Sequence, residues 1–278
     1  MPIQNEAAPV VKWAGGKRTL LPELMPLIPA QWTTYVEPFM GGAAVLFAIA
    51  PQTAIVNDIN SELINTYKII RDDVESLIAE LKSYENTEEF YYNIRNLDRD
   101  AEAFSRLSPL QLAARTLYLN RTCFNGLYRV NKRNQYNTPY GKYKNPNFVN
   151  EQTLRAASEF FNSRDITICN ESFEDTMTRA PEGAFVYLDP PYDPLTVTSS
   201  FTSYAKDGFN REHQVKLKEC CDHLTSRGVK FMLSNSATEF ILDLYNDYNI
   251  TLVNVRRNIS ANSDKRNVVQ EVVVRNYK

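Results

Sequence analysis

The chain has 278 residues, 43% of them apolar, enough for one large core or a core with a smaller inserted unit, with no need of disulfide or metal staples. No run approaches the roughly 18 apolar residues of a membrane span, and residues 1–9 lack a basic region followed by an apolar stretch, so a soluble, cytoplasmic protein with no membrane partner is expected. The net charge of −2 argues by itself against a nucleic-acid partner, and four cysteines with two histidines, in no ligand spacing, argue against a metal site and for inert thiols.

In chain order, Lys12-Trp13-Ala14-Gly15-Gly16-Lys17 reads alone as an N-terminal turn anchored by a tryptophan. A β-branched run at 34–37 predicts a buried strand, and Glu37-Pro38-Phe39-Met40-Gly41-Gly42 comes after it, before an apolar helical stretch at 42–49. Glycines there let a backbone approach a ligand closely, although a plain tight turn accounts for them equally well. A second strand at 54–57 leads into Asn57-Asp58-Ile59-Asn60. An acid at that place, roughly 20 residues after the glycines, suits ribose hydroxyls, so the two features together suggest an adenosine-bearing cofactor.

From residue 61 the pattern turns helical, as at 72–81, and runs into an aromatic, basic stretch at 121–148. Between Ala103 and Asn150 there is no Asp or Glu, whereas Arg106, Arg115, Arg121, Arg129, Lys132, Arg133, Lys142 and Lys144 are all basic. Such a block in an acidic protein is the footprint expected of a DNA-binding region, set against the plainer reading of a solvated loop. Asn125-Gly126 is a turn signal, and the residues after it read as a hairpin whose tip offers Arg129 to a guanine edge.

Strands at 166–169, 184–188 and 229–233, with a helix at 211–225 before the last of these, complete a strand–helix alternation. Strands at 250–255 and 268–274 are separated by a polar stretch too short for a helical crossover, so an antiparallel edge hairpin is expected. The fold class is therefore α/β: a doubly wound, Rossmann-like sheet with an antiparallel edge hairpin, interrupted by a mainly helical insert. Residues 1–60 and 160–278 form the catalytic domain in this reading, and 61–159 the insert.

Asp189-Pro190-Pro191-Tyr192 ends the fourth strand. Ligands bind at the carboxyl edge of such sheets, and two prolines hold the Asp189 side chain and the Pro190 carbonyl in an extended, rigid frame. Both groups are acceptors. Placed against an exocyclic amine they would turn its lone pair out of conjugation, while Tyr192 stacks on the base.

These motifs, in this order, resemble the Dam-type DNA adenine methyltransferases of the alpha group over nearly the whole chain. Asn125-Gly126-Leu127-Tyr128-Arg129 with Thr138-Pro139-Tyr140-Gly141-Lys142-Tyr143 is similar to members that modify GATC, the Dpn restriction-modification methylase among them. The resemblance implies that Lys12, Trp13, Lys17, Phe39, Gly41, Asp58, Phe173 and Asp189 surround S-adenosyl-L-methionine, with Asp58 on the ribose and Phe173 against the adenine. It implies that Asp189, Pro190, Pro191 and Tyr192 form the catalytic site. It also implies that Phe124 or Asn125 props the duplex open, that Leu127, Arg129 and Pro139 read bases, and that Lys12 touches the first guanine. Lys142 and Lys144 join them on the DNA through their charge. Met40-Gly41-Gly42 departs from the Gly-Ala-Gly of many relatives, which bears on the fit of the cofactor.

A monomer acting on double-stranded DNA, with base flipping and no metal, is the expectation. N4-cytosine methylation uses the same lone-pair chemistry and stays open at this point. Methylation of RNA or of a protein amide is disfavoured by the basic insert and by Asp rather than Asn at position 189, and a DNA-binding regulator without activity by intact Asp58, Asp189 and Tyr192.

Overall fold

The computed structural model describes residues 7–195, 209–256 and 268–278. Seven strands form one sheet: β1 (Tyr35–Glu37), β2 (Thr53–Asn57), β3 (Asp165–Cys169), β4 (Phe185–Leu188), β5 (Lys230–Ser236), β6 (Asn249–Arg256) and β7 (Val268–Arg275). Their order is β3-β2-β1-β4-β5-β7-β6, with the first five parallel and β7 antiparallel to both β5 and β6. The α/β class and the antiparallel edge are thus as the sequence predicts, and part of the stretch joining β6 to β7 lies outside the described residues.

Among the described residues eleven α-helices accompany the sheet: α1 (Leu21–Leu24), α2 (Ala44–Ile49), α3 (Ser61–Asp72), α4 (Val74–Lys82), α5 (Glu88–Asn96), α6 (Ala101–Ser105), α7 (Pro109–Thr122), α8 (Glu151–Asn162), α9 (Phe173–Thr178), α10 (Arg211–Ser226) and α11 (Glu239–Leu244). The helix expected at 72–81 divides, because Asp73 leaves helical geometry at φ −151° and caps α4 through Ser76 N. Ser108 and Gln111 form a reciprocal capping box that, with Pro109 in the first turn, starts α7.

Strand β4 is buried at every position, as a central parallel strand must be. Leu154, Ala157, Phe160 and Phe161 recur on one face of α8, and Leu63, Ile64, Tyr67 and Ile70 on one face of α3; both faces join the core that β1, β2 and β3 supply. Each large apolar side chain so buried contributes about 1.5–3 kcal/mol, and Phe160→Ala would cost about 3–5 kcal/mol. Helices α4, α5 and α7 extend that same core away from the sheet. No helix among the described residues is long and apolar enough to cross a membrane.

Candidate active site

The strand order reverses direction between β1 and β4, so the loops that leave their carboxyl ends diverge and open a crevice. Asn57, at the end of β2, knits this edge: its side chain donates to Pro38 O and Glu171 O, both at 3.1 Å, and accepts from Glu171 N at 2.9 Å. One buried amide therefore ties together the segments beyond β1, β2 and β3.

Asp189 leaves β4 at this crevice with its side chain 19% exposed. Lys17, 7% exposed, donates Nζ to Asp189 Oδ1 at 2.7 Å and to Gly15 O at 2.9 Å, and stands 4.6 Å from the Tyr192 ring centroid. Burial raises the Asp189 carboxyl to about 6, the Lys17 ammonium opposes that rise, and Glu271 adds to it. Tyr192 Oη donates to Glu271 Oε2 at 3.0 Å, and burial, followed by the two carboxylates, pushes the phenol well up and keeps it protonated.

The residues on either side of Tyr192 are pinned from two further elements. Pro191 O accepts from Gln214 Nε2 at 2.9 Å, and Gln214 Oε1 accepts from Asn235 Nδ2 at 3.1 Å. Asp193, buried, donates its N–H to Asn235 Oδ1 at 3.1 Å, and its carboxylate takes Arg211 at 3.0 and 3.2 Å and Thr238 Oγ1 at 2.8 Å. Ser236 Oγ donates to the Asp193 carbonyl.

On the β1 and β2 side, Asp58 accepts from Gly41 N at 3.0 Å and from Asn60 N at 2.9 Å; burial raises its carboxyl and these two N–H groups work against the rise. Gly41 has φ +48° and a Cβ there would lie 2.8 Å from the Trp13 ring, so both backbone and space demand glycine. Phe39 and Phe173 stack with centroids 5.4 Å apart. The separation is too small for a ring between them, which would need roughly 7 Å, so together they offer a face rather than a slot.

Trp13 also meets Tyr128 with ring centroids 5.2 Å apart, and Lys12 exchanges backbone bonds of 2.7 Å with the buried Asn120 side chain. The N-terminal segment is therefore a strap that touches the glycine turn, Asp189 and the loop after α7, and the plain turn with a tryptophan anchor understates it. Gly126, at φ +66°, is pressed by Lys12, whose Cδ would stand 2.4 Å from a Cβ.

The hairpin expected after Asn125-Gly126 is present as a loop with bridges Cys123↔Tyr140 and Val130↔Tyr136. Arg129 is not at its tip. Asn131 accepts at the turn from Arg133 N and Gln135 N, so Lys132 and Arg133 occupy the tip, and Arg129 on the stem donates Nε to Asn137 Oδ1 at 2.7 Å. Phe124 is 51% exposed, its N–H bonded to Pro139 O, while Asn125 N donates to Tyr143 Oη at 3.1 Å. The Leu127 carbonyl is held by Thr138 Oγ1 at 2.7 Å and Tyr136 Oη at 3.1 Å. Pro139, Lys142 and Lys144 are exposed.

Three of the eight basic residues of the acid-free stretch make ion pairs or interior bonds within the fold. Arg115 is 1% exposed and donates to Asp98 Oδ2 at 2.7 Å and to Ile94 O and Arg95 O, both at 3.1 Å. Arg121 holds Val10 O, and Arg106 pairs with Glu102. Sequence reasoning gave no role to Glu271, Gln214, Asn235, Asp193 or Asn57; Asn57 and Asp193 lie in or beside motifs singled out there, and Glu271 interrupts an apolar strand run, whereas Gln214 and Asn235 carry no such signal. The cysteines are free and Cys123, Cys169 and Cys221 buried, with burial raising the Cys123, Cys220 and Cys221 thiols. No group of three or more His, Cys, Asp or Glu among the described residues could hold a metal ion.

The chain is 45% identical over 271 residues to the Type II methyltransferase M1.LlaDCHI of Lactococcus lactis subsp. cremoris, covering 97% of this chain and 95% of that protein. It is 39% identical to the Type II methyltransferase M.MjaIII of Methanocaldococcus jannaschii over 98% of this chain and 100% of that one, and 36% identical to the DNA adenine methylase of Escherichia coli K12 over 95% and 93%. The family described as D12 class N6 adenine-specific DNA methyltransferase matches residues 13–259, and the chain belongs to that family.

Proposed function

We propose that the protein transfers the methyl group of S-adenosyl-L-methionine to N6 of adenine in double-stranded DNA, in the sequence GATC, after the target base has left the helix. The observation that carries the reading is Asp189, a carboxylate in a proline frame that binds an ammonium, Lys17 Nζ, at 2.7 Å beside the Tyr192 ring. An adenine amine offers N–H donors as that ammonium does. Asp189 and the Pro190 carbonyl are suited to accept them and turn the nitrogen lone pair outward, with Tyr192 against the base and Lys17 yielding or sharing Asp189. The base is out of reach inside a duplex, and flipping it costs a few kcal/mol, which stacking and the two amine bonds offset.

The residues at the ends of β1 and β2 fit an adenosine-bearing cofactor. Asp58 keeps lone pairs beyond those used by Gly41 and Asn60, Phe39 and Phe173 offer a face to a purine, and the Gly41 turn leaves room for backbone approach. Lys12, Trp13, Lys17, Phe39, Gly41, Asp58, Phe173 and Asp189 form this proposed binding set. When bound, S-adenosyl-L-methionine would supply a methyl group on a sulfonium, from which the neutral thioether is an excellent leaving group. The chain's own share is alignment of the amine and exclusion of water.

For the DNA, Phe124 or Asn125 is proposed as the wedge, Leu127, Arg129 and Pro139 as base readers, Lys12 as a contact to the first guanine, and Lys142 and Lys144 as phosphate contacts. Residues 1–60 and 160–278 are proposed as the catalytic domain and 61–159 as the recognition domain, acting as a monomer on the DNA of the cytoplasm. Likeness to two Type II methyltransferases supports a place in a restriction-modification system.

The test is transfer of labelled methyl from S-adenosyl-L-methionine to duplexes carrying GATC or GTAC, followed by nucleoside mass spectrometry. N6-methyladenine in the GATC duplex alone is the expected result. Labelling of both duplexes would remove the recognition sequence, and N4-methylcytosine or no transfer would remove the chemistry.

A further inference from the structure

We infer that Glu271 is a positioning residue for methyl transfer, its carboxylate on β7 fixing where the Tyr192 ring lies through the 3.0 Å bond from the tyrosine hydroxyl. The inference rests on the proposed stacking of Tyr192 against the target adenine. Glu271 is 6% exposed, paired in the sheet with Ser236 of β5 and Val253 of β6, and succeeded by the buried run Val272, Val273 and Val274. A carboxylate in such a strand loses its hydration and persists only where hydrogen bonds compensate it. One such bond reaches across the sheet edge to a residue 79 positions earlier in the chain, inside the motif that carries the chemistry.

The geometry around the ring explains what this anchor does. Pro191 constrains the backbone ahead of Tyr192 and Gln214 holds the Pro191 carbonyl, so the start of the side chain is fixed. Lys17 Nζ lies 4.6 Å from the ring centroid, which fixes a face. Rotation about the Cα–Cβ bond is still open, and a bond at the hydroxyl end, which swings with that rotation, closes it. A stacking platform must lie in one place against a flat base, and small errors in the place of a positioned group are expensive in rate. The charge of Glu271 also reaches the neighbouring acceptor: it raises the Asp189 carboxyl, adding to burial and opposing Lys17, and so leaves a more basic carboxylate.

The experiment uses the full chain, a GATC duplex and the same duplex with 2-aminopurine at the target adenine. Single-turnover methyl transfer, cofactor and DNA affinities, and 2-aminopurine emission are measured for wild type, Glu271→Ala, Glu271→Gln, Tyr192→Phe and the double variant Tyr192→Phe/Glu271→Ala. Glu271→Ala is expected to slow transfer about tenfold, with cofactor affinity held within about twofold and the emission of the flipped base altered. Glu271→Gln keeps an acceptor oxygen and is expected to recover most of the rate. The double variant is expected to be no slower than Glu271→Ala alone, because both changes remove the same bond.

A folded Glu271→Ala enzyme with the wild-type rate and emission would overturn the inference, and so would losses that multiply in the double variant. If Glu271→Ala does not fold, Tyr192→Phe decides: wild-type rate and emission there overturn it, and a slowed rate with altered emission supports it. Wild-type transfer to adenine in both GATC and GTAC would count against the recognition sequence only, whereas an inactive wild type would bring down the proposed function and this inference with it.

Discussion

Two irregular stretches carry the proposed chemistry, residues 189–193 after β4 and residues 123–144 after α7, and they are built on different plans. In the first, the side chains themselves are tied: Asp189 to Lys17, Tyr192 to Glu271, and Asp193 to Arg211 and Thr238, while Gln214 holds the backbone at Pro191. In the second, the backbone is tied and several side chains project outward. Tyr91 Oη donates to Thr138 O at 2.9 Å, Asp98 Oδ2 accepts from Tyr136 N at 2.7 Å, and Thr138 and Tyr136 hold the Leu127 carbonyl, yet Phe124, Lys132, Arg133, Lys142 and Lys144 are exposed. Each plan suits its proposed task. Acceptors that must meet a reacting amine work best when oriented in advance, whereas side chains that read DNA gain their partners only on the duplex.

Asp189 carries most of this contrast. Asp189→Ala is expected to lower single-turnover transfer about 10³-fold or more while cofactor affinity changes only severalfold, measured by labelled-methyl transfer and equilibrium binding. Substantial turnover in that variant would mean that orientation in the first stretch is not catalytic.

Next in size is Arg115, the buried cation beneath the second stretch. Arg115→Ala leaves Asp98 and two carbonyls without this donor and is expected to destabilise the fold by about 3–5 kcal/mol in urea denaturation. A change below about 1 kcal/mol would show that the loop does not depend on this interior charge.

Arg129→Ala probes the outward-facing plan, since it removes an exposed side chain bonded to Asn137 in the same loop. Discrimination at one outer base pair is expected to fall by about 1–3 kcal/mol with the rate on the correct site far less affected, read from transfer to duplexes substituted one pair at a time. Unchanged preference at every pair would take Arg129 out of the reading set.

A change of pH near neutrality is expected to have the smallest effect. Asp189 accepts N–H donors as the carboxylate, and its carboxyl is raised to about 6, so transfer is expected to be at full rate well above that value and to fall about tenfold per unit below it. Because the folded value lies above the ordinary one, acid removes the active form earlier than for an exposed aspartate, and the acid limb should move higher in Lys17→Met, which deletes the opposing cation. An acid limb near 4 would argue that Asp189 is not the acceptor that limits the rate.

Much of the fold is legible in the sequence. The runs at 34–37, 54–57, 166–169 and 184–188 are parallel strands in the structure; β4 is buried at every position and its run is continuously apolar, whereas β3 at the sheet edge alternates exposed and buried residues, and both patterns are written locally. Asp189-Pro190-Pro191-Tyr192 was legible for a similar reason: two prolines rule out helix and sheet alike and leave a rigid turn. The basic stretch was legible as charge and misleading as surface, since nothing in its residue types distinguishes Arg115, 1% exposed, from Lys142 on the outside.

Local sequence was enough to settle the α/β class and the motif at the end of β4, both of which rest on runs of neighbouring residues. Long-range packing was needed to bring Lys17 to Asp189 and Glu271 to Tyr192, to let Asn57 gather three loop ends, and to join the glycine turn to the loop after α7 through Trp13. Those partners are separated by up to 172 positions, counting from Lys17 to Asp189, and a hydrogen bond between distant residues leaves no periodicity or spacing behind it. The sheet supplies what the chain order lacks, by bringing the carboxyl ends of strands far apart in sequence to a single edge.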